Sequence, residues 1–184
     1  MSQSHRTTRL LTCLALALAF TLGAGPPAPA AECANADIAP TADNLDDVRG
    51  AILCMTNVER RSRDLRPLRE NQKLRKAAGS HSADMVRNGF FSHTGHDGDT
   101  FVDRVLDSGY VTRNDGWKLG ENLAWGTGEL STARGVLDAW MKSAGHKANI
   151  LRPAYREVGI GIRLGVPSDD GIGATFTNDF GVKT

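Results

Sequence analysis

Two long stretches in the first half of the chain carry apolar residues at intervals of three and four positions, the spacing of one helical face. The first helix is expected to begin after a cap at Asn44 and to fade near Arg63. The second is expected to run from a cap at Asn71 to Gly89, a residue type that commonly ends helices. His81 lies on the apolar face of this second helix, which favours a buried core histidine bonded through one ring nitrogen.

Two shorter helices are predicted further along the chain. Thr100 and Asp103 resemble a capping box, and the third helix that they start should stop at Gly109. Ser131 is expected to cap a fourth helix, and Gly145 is expected to end it.

Three strands are predicted between and after these shorter helices. Residues 117–125 form the first, and residues 158–164 and 172–180 form a hairpin around a connection rich in turn-forming residues. Gly159 and Gly161 alternate in the second strand, which indicates a close backbone approach or a bulge. The pattern predicts an α+β fold, with about four helices covering both faces of a small three-stranded antiparallel sheet.

The N-terminal segment has the order of a secretory signal peptide. Arg6 and Arg9 precede an apolar run over residues 10–22, which is short of the roughly 20 residues that a membrane span needs. Ala28-Pro29-Ala30 then offers a cleavage site after Ala30. We therefore expect a secreted protein with no membrane span in its mature chain.

This processing divides the chain into three parts. Residues 1–30 are assigned to the signal peptide, residues 31–44 to an N-terminal arm, and residues 45–184 to a single compact domain, expected to be monomeric. Cys33 and Cys54 remain after cleavage, and an even pair in an oxidising compartment predicts a disulfide bond. The bond would close a loop of about 20 residues and contribute roughly 3 kcal/mol.

The charge balance argues against a nucleic-acid partner. The 22 basic and 21 acidic residues give a net charge of +1 at pH 7, and the arginines between positions 60 and 69 are interleaved with acids. That arginine-rich stretch is therefore interpreted as a solvated helix end and loop.

Three separate fragments each offer one titratable side chain beside glycine or aromatic residues. His93 follows two phenylalanines, Glu121 lies between Gly120 and Asn122, and His146 follows the glycine expected to end the fourth helix. At such a helix end the dipole would favour a protonated His146. Two imidazoles and one carboxylate can hold a metal or poise a water, so these three side chains are expected to meet in one polar site.

These fragments and several others resemble the bacterial branch of the CAP superfamily, also called the SCP domain, over about residues 46–181. The superfamily includes cysteine-rich secretory proteins, venom allergens and plant pathogenesis-related proteins. The matching segments are Asn57-x-x-Arg60, Ala77-Ala78-x-x-His81-Ser82, Phe91-Ser92-His93, Gly120-Glu121-Asn122-Leu123-Ala124-Trp125, Trp140-Met141-x-Ser143-x-Gly145-His146, Asn149-Ile150-Leu151 and Phe176-Thr177-Asn178-Asp179-Phe180-Gly181.

The resemblance implies an α-β-α sandwich with a cleft that carries two histidines and two glutamates. His93, Glu121 and His146 fall on three of these four positions, and Asn122 is expected to support the site through its amide. The second glutamate should lie shortly after Trp140, where this chain reads Met-Lys-Ser without an acid. The complete set is therefore absent, while a two-histidine metal site remains open.

Three classes of function follow from these residues. The first is a non-catalytic binding module whose cleft holds Zn²⁺ or another divalent cation, a lipid or a cell-envelope ligand. The second is a metal-assisted, peptidase-like hydrolase with Glu121 as the candidate catalytic residue, although no H-E-x-x-H segment is present. The third uses Ser92 or Ser143 as a nucleophile, but neither lies in a G-x-S-x-G elbow. We rank the binding module first.

Overall fold

The computed structural model describes residues 33–168 and 171–184, so the predicted signal peptide and its cleavage site lie outside the described residues. The helices are α1 (Leu45–Arg61), α2 (Gln72–Asn88), α3 (Phe101–Asp107), α4 (Ala133–Lys142) and α5 (Ala144–Ile150). The strands are β1 (Arg69–Glu70), β2 (Trp117–Thr127), β3 (Glu157–Leu164) and β4 (Gly173–Lys183). The predicted α+β class is confirmed.

The sheet has four strands in the order β1-β3-β4-β2, so the prediction of three antiparallel strands was wrong in this detail. The three predicted strands pair antiparallel, but the two-residue strand β1 adds a parallel pairing in which Arg69 lies opposite Glu157. Two residues are too few to show a period in the sequence. The strand is instead held in place by Asn57, whose amide donates to Leu68 O at 2.9 Å and accepts from Leu68 N at 2.7 Å.

Helix α2 covers one face of the sheet at unusually close range. A Cβ atom at Gly159 would lie 2.0 Å from the carbonyl carbon of Leu74, and one at Gly161 would lie 2.3 Å from that of Ala78. The register between β3 and β4 runs without interruption past both glycines, so they serve the close approach and form no bulge.

The opposite face of the sheet carries the main hydrophobic core. Alternate residues of a strand point to opposite faces, so the neighbours of the two glycines face away from α2. They pack with α1 and α4 in a cluster that includes Val48, Ile52, Trp140, Ile160 and Phe176. Helices on both faces make an α-β-α sandwich.

Three helix ends match their predictions. The Asn71 side chain accepts hydrogen bonds from Lys73 N and Leu74 N, and Gly89 ends α2 with a φ of 63°. Thr100 and Asp103 form a complete capping box at the start of α3. Asn44 precedes α1 but does not cap it, since its side chain bonds backward to Thr41 N and Ala39 O.

The fourth helix differs from its prediction at both ends. Its cap is Thr132, which accepts from Gly135 N at 3.1 Å, whereas Ser131 belongs to a short 3-10 helix over Gly128–Ser131. The helix ends at Lys142, and Gly145 lies inside α5. This change places His146 in the first turn of a new helix.

The predicted disulfide bond is confirmed. Cys33 and Cys54 are bonded with their Cα atoms 5.8 Å apart, which attaches the N-terminal arm to α1. The arm also meets α4, where Arg134 N donates to Ala36 O at 2.9 Å. Within residues 33–168 and 171–184, no helix combines the length and the apolar content that a bilayer crossing would demand.

Arg60 is an exception to the solvated arginines predicted around it, because it is fully buried. Its guanidinium donates to four backbone carbonyls on two segments, with donor–acceptor distances of 2.7 to 3.3 Å. Burial lowers the pKa of this group, and the nearby Arg156 lowers it further. The acceptors are the carbonyls of Arg66, Ile150, Arg152 and Tyr155, so Arg60 fixes the chain between α5 and β3 to the end of α1.

Candidate functional site

His93 and Glu121 are in direct contact. The imidazole Nδ1 donates to Glu121 Oε1 at 2.7 Å. The Glu121 side chain is only 1% exposed, whereas that of His93, on the loop after α2, is 59% exposed. The pair therefore joins a buried carboxylate to an imidazole that faces solvent.

The other oxygen of Glu121 is bonded to Arg104, a residue that the sequence analysis did not single out. Arg104 Nη2 donates to Glu121 Oε2 at 2.8 Å and to the backbone carbonyl of His93 at 3.0 Å. Its position could have been found, since Arg104 lies three residues after Phe101 on the apolar stripe of α3. A basic residue on a buried stripe implies a buried acidic partner.

A second carboxyl group lies beside this ion pair. Asp179 of β4 is directly opposite Glu121 of β2, so both side chains lie on the sheet face that α2 covers. Asp179 is buried, and neither of its carboxyl oxygens accepts a hydrogen bond from a described residue. Burial, and then repulsion from Glu121, raise the pKa of Asp179 well above its usual range. Asp179 is thus the neutral member of the pair.

Asn122 lies next to Glu121 on β2 but points to the opposite face of the sheet. Its amide donates to the backbone carbonyl of His146 at 3.0 Å. Asn149 in turn donates to Asn122 Oδ1 at 2.9 Å and to the Glu121 carbonyl at 3.1 Å. These bonds attach α5 to the strand that carries Glu121.

Side chains also cover the free edge of β2, which is a terminal strand of the sheet. Exposed strand edges are open to pairing with other chains. Here three alternate carbonyls of the edge accept side-chain hydrogen bonds at 2.7 to 3.1 Å. The donors to residues 119, 121 and 123 are Tyr155, Asn149 and Trp140. Trp140 is buried, so it packs in the core while it covers this edge.

His146 occupies a different electrostatic setting from the one predicted. It is the third residue of α5, where a helix dipole disfavours a positive charge, rather than a residue at the C-terminal end of α4. Burial lowers the pKa of His146, and the positive charge of a protonated His93 lowers it further. The ring packs against Trp140 with a centroid distance of 6.5 Å. The expectation of a protonated His146 was therefore wrong.

The donor set suits a metal only through the two imidazoles. His93 donates from Nδ1 to Glu121, which leaves Nε2 of this largely exposed ring available to a metal. A metal-bound histidine typically has such a carboxylate on the ring nitrogen that does not bind the metal. Both oxygens of Glu121 are already bonded to His93 and Arg104. Among the described residues, no group of three or more His, Cys, Asp or Glu side chains is arranged around a common metal position.

The nucleophilic alternative receives no support from the local contacts. The Ser92 hydroxyl accepts from Thr94 N at 3.1 Å, and Ser143 precedes α5. Over the described ranges, neither hydroxyl is hydrogen-bonded to a histidine ring. His81 does bond to Ser92, but through Nε2 and the backbone carbonyl at 2.8 Å, which confirms it as a buried histidine held by one nitrogen.

The sequence matches a known protein family and a bacterial relative. The sequence model of the CAP family, described as the cysteine-rich secretory protein family, matches residues 53–176, more than half of the chain. The protein YkwD of Bacillus subtilis is 34% identical over 107 residues, a match that covers 58% of this chain and 39% of YkwD. The chain therefore spans well under half the length of that relative.

Solved structures show the same fold. An extracellular protein containing an SCP domain from Bacillus anthracis superposes with a TM-score of 0.55 at 28% identity, over 78% of this chain and 44% of that one. An outer surface protein from Borrelia burgdorferi superposes with a TM-score of 0.62 at 20% identity, over 80% of this chain and all of that one. The second likeness concerns the fold alone.

Proposed function

Since this chain belongs to the CAP family of cysteine-rich secretory proteins, we propose that it is a secreted, monomeric binding module. In this proposal His93 and His146 contact a divalent cation such as Zn²⁺ or, without a metal, bind a cell-envelope ligand directly. Glu121 orients the imidazole of His93, and Asn122 positions the backbone of His146. The module carries out no chemistry on what it binds.

The observation that carries this proposal is that both carboxylate oxygens of Glu121 accept hydrogen bonds from the protein and are buried. Its carboxylate bonds to His93 through one oxygen and to Arg104 through the other, and its side chain is buried. A general base must present a free oxygen to a water or a substrate proton. Each Glu121 oxygen already accepts one hydrogen bond, and the side chain is only 1% exposed, so a water or substrate has no access to it. Glu121 therefore serves as a support for His93, and we rank a binding role above a metal-assisted hydrolase.

The two histidines provide neutral donors of the kind that divalent transition metals prefer. The lowered pKa of His146 keeps its ring neutral near pH 7, as a metal ligand must be. The bond to Glu121 fixes the tautomer of His93 with its lone pair on Nε2. When bound, a cation would supply positive charge and open coordination positions to an oxygen-bearing ligand.

An extracellular site of action is supported by two further observations. The Cys33–Cys54 bond is of the kind that persists in oxidising compartments. The Bacillus anthracis structure that resembles this chain is described as extracellular.

The proposal can be tested by isothermal titration calorimetry with ZnCl₂ on the intact protein. We expect saturable binding at about one ion per chain that weakens at least tenfold in His93→Ala and in His146→Ala, with His96→Ala as the matched control. Binding should also weaken below about pH 6, where free imidazoles gain a proton. Unchanged affinity in both single variants would remove the metal from the proposal. Peptidase turnover abolished by a chelator and by Glu121→Gln would replace the binding role with the hydrolase.

A further inference from the structure

His93 lies on the loop between α2 and α3, where little packing fixes its position. Residues 89–100 form neither helix nor strand, and the His93 side chain is 59% exposed. A side chain in such a setting samples many positions unless hydrogen bonds restrict it. The proposed cation site requires Nε2 of His93 in one place, so both the loop and the ring must be held.

The guanidinium of Arg104 holds this loop at two points and Glu121 at a third. Its Nη1 donates to the backbone carbonyl of Asp99 and its Nη2 to that of His93, both at 3.0 Å. Nη2 also donates to Glu121 Oε2 at 2.8 Å, and Glu121 Oε1 accepts from His93 Nδ1 at 2.7 Å. The backbone and the ring of His93 are therefore both linked to one guanidinium, which closes a ring of hydrogen bonds.

Arg104 is itself held in a fixed position by α3. The first turn of this helix is closed by the capping box at Thr100, and the Arg104 side chain is only 8% exposed. The next residue, Val105, is buried in a hydrophobic cluster with Leu74 and Ala77 of α2. Groups carried by a packed helix are positioned more precisely than groups carried by a loop. Helix α3 thus supplies the support that the loop lacks.

Helix α2 also holds the loop, but only through its backbone. His81 Nε2 bonds to Ser92 O at 2.8 Å, and Asp84 accepts from His96 N at 3.0 Å. Arg104 differs because it also holds the carboxylate that receives the His93 ring. A lysine at position 104 would keep the positive charge but lose the planar fork that reaches two carbonyls and a carboxylate. Arg104→Lys therefore separates the charge of this residue from its geometry.

We propose that Arg104 is a positioning residue of the cleft: it holds the loop backbone at His93, and the carboxylate that orients the His93 ring, in one arrangement. This inference rests on the proposed cation-binding role of His93 and His146. Without the guanidinium, an incoming cation must first order the loop, and that ordering reduces the observed affinity. Residues that orient a metal ligand typically change metal affinity by about 10- to 100-fold when they are replaced.

The test compares Arg104→Lys with Val105→Ala, a control that weakens the packing of the same helix and leaves the loop hydrogen bonds in place. The first measurement is NMR of the histidine ring N–H groups without metal. In the wild type the Nδ1 proton of His93, bonded to a buried carboxylate, should be observed. It should be lost through exchange with water in Arg104→Lys and retained in Val105→Ala.

The second measurement is calorimetric titration of the same proteins with ZnCl₂. Zinc affinity should fall at least about tenfold in Arg104→Lys and stay close to that of the wild type in Val105→Ala. Arg104→Gln, which keeps amide donors but no charge, should lose both the ring signal and the affinity. Urea unfolding establishes that each variant is folded and how far it is destabilised.

Three results would overturn the inference. The first is a wild-type ring signal and zinc affinity in Arg104→Lys, and the second is an equal loss in Val105→Ala, which would indicate general destabilisation. The third is the absence of the His93 signal in the wild type itself. A wild-type protein that binds no zinc would instead remove the metal from the proposed function, while the metal-free ring signal would still decide the role of Arg104.

Discussion

Asp179 lies directly opposite Glu121 across the β2–β4 pairing, and the two carboxyl groups share one buried face of the sheet with the guanidinium of Arg104. Glu121 receives hydrogen bonds from both Arg104 and His93, while the carboxyl oxygens of Asp179 accept none from the described residues. The site therefore keeps one charged carboxylate and one neutral carboxyl group side by side. This arrangement sets the first prediction.

Asp179→Asn should flatten the dependence of stability on pH. The folded-state pKa of Asp179 is raised, so between about pH 4 and that raised value the unfolded chain binds fewer protons than the folded one. Wild-type stability thus loses the Asp179 contribution as pH rises through this window, and the variant should not. Urea unfolding from pH 4 to pH 8 gives the unfolding free energy of both proteins. The contributions of the other titrating groups cancel in the difference between wild type and variant. Parallel curves for the two proteins would show that Asp179 ionises normally.

The Arg104–Glu121 ion pair should show strong coupling in a double-mutant cycle. Arg104→Met leaves a buried carboxylate with one partner fewer, and Glu121→Gln leaves a buried guanidinium, so each should cost about 3–5 kcal/mol in unfolding free energy. The double variant should cost clearly less than the sum of the two. Urea unfolding at pH 7 provides the four free energies. Additive losses would mean that the pair contributes no specific interaction.

Arg60→Met should destabilise the fold although no acidic partner is lost. Four carbonyls lose their buried donor, and each unsatisfied buried group costs about 1–3 kcal/mol. The cost is smaller for any carbonyl that water can reach in the variant. We expect a loss of at least about 3 kcal/mol by chemical unfolding. Arg63→Met, on an exposed i,i+4 pair with Glu59, should cost less than about 1 kcal/mol. Similar losses in the two variants would contradict the role of Arg60.

Gly159→Ala should be severely destabilising because the new methyl group would overlap the backbone of α2 at Leu74. Overpacking of this kind typically costs about 1–3 kcal/mol, and here the obstacle is backbone that cannot rotate away. Gly50→Ala is the matched control, since nothing lies within 4 Å of its added Cβ in α1. That variant should gain up to about 1 kcal/mol from helix propensity. Differential scanning calorimetry would compare both with the wild type.

The sequence was sufficient for those parts of the fold that repeat a pattern over many residues. Helices α1 and α2 span 17 residues each, long enough for their apolar stripes to be recognised, and both ends of α2 were predicted correctly. Helix α5, with seven residues directly after α4, and β1, with two, are too short for any periodicity to identify. Gly145 was interpreted as a helix end because a glycine inside the first turn of a second helix has the same sequence signal.

The site was predictable only where one segment carried its own signal. His93 and Glu121 lie in distinctive fragments, and their contact was expected. Asp179 was quoted only within a family fragment, because its proximity to Glu121 depends on the register of β2 against β4, which the sequence does not specify. The protonation expected for His146 was wrong for a related reason, since it depended on which helix end the residue occupies.

The central claim, that His93 and His146 form one metal-binding cleft, is tested most directly by NMR of the histidine ring nitrogens during addition of ZnCl₂. We predict that the ring signals of His93 and His146 change together and are complete at one equivalent of Zn²⁺. The rings of His81, held by Ser92 O, and of His96 should remain unaffected. Saturation of one ring without the other, or equal changes in His96, would contradict the claim.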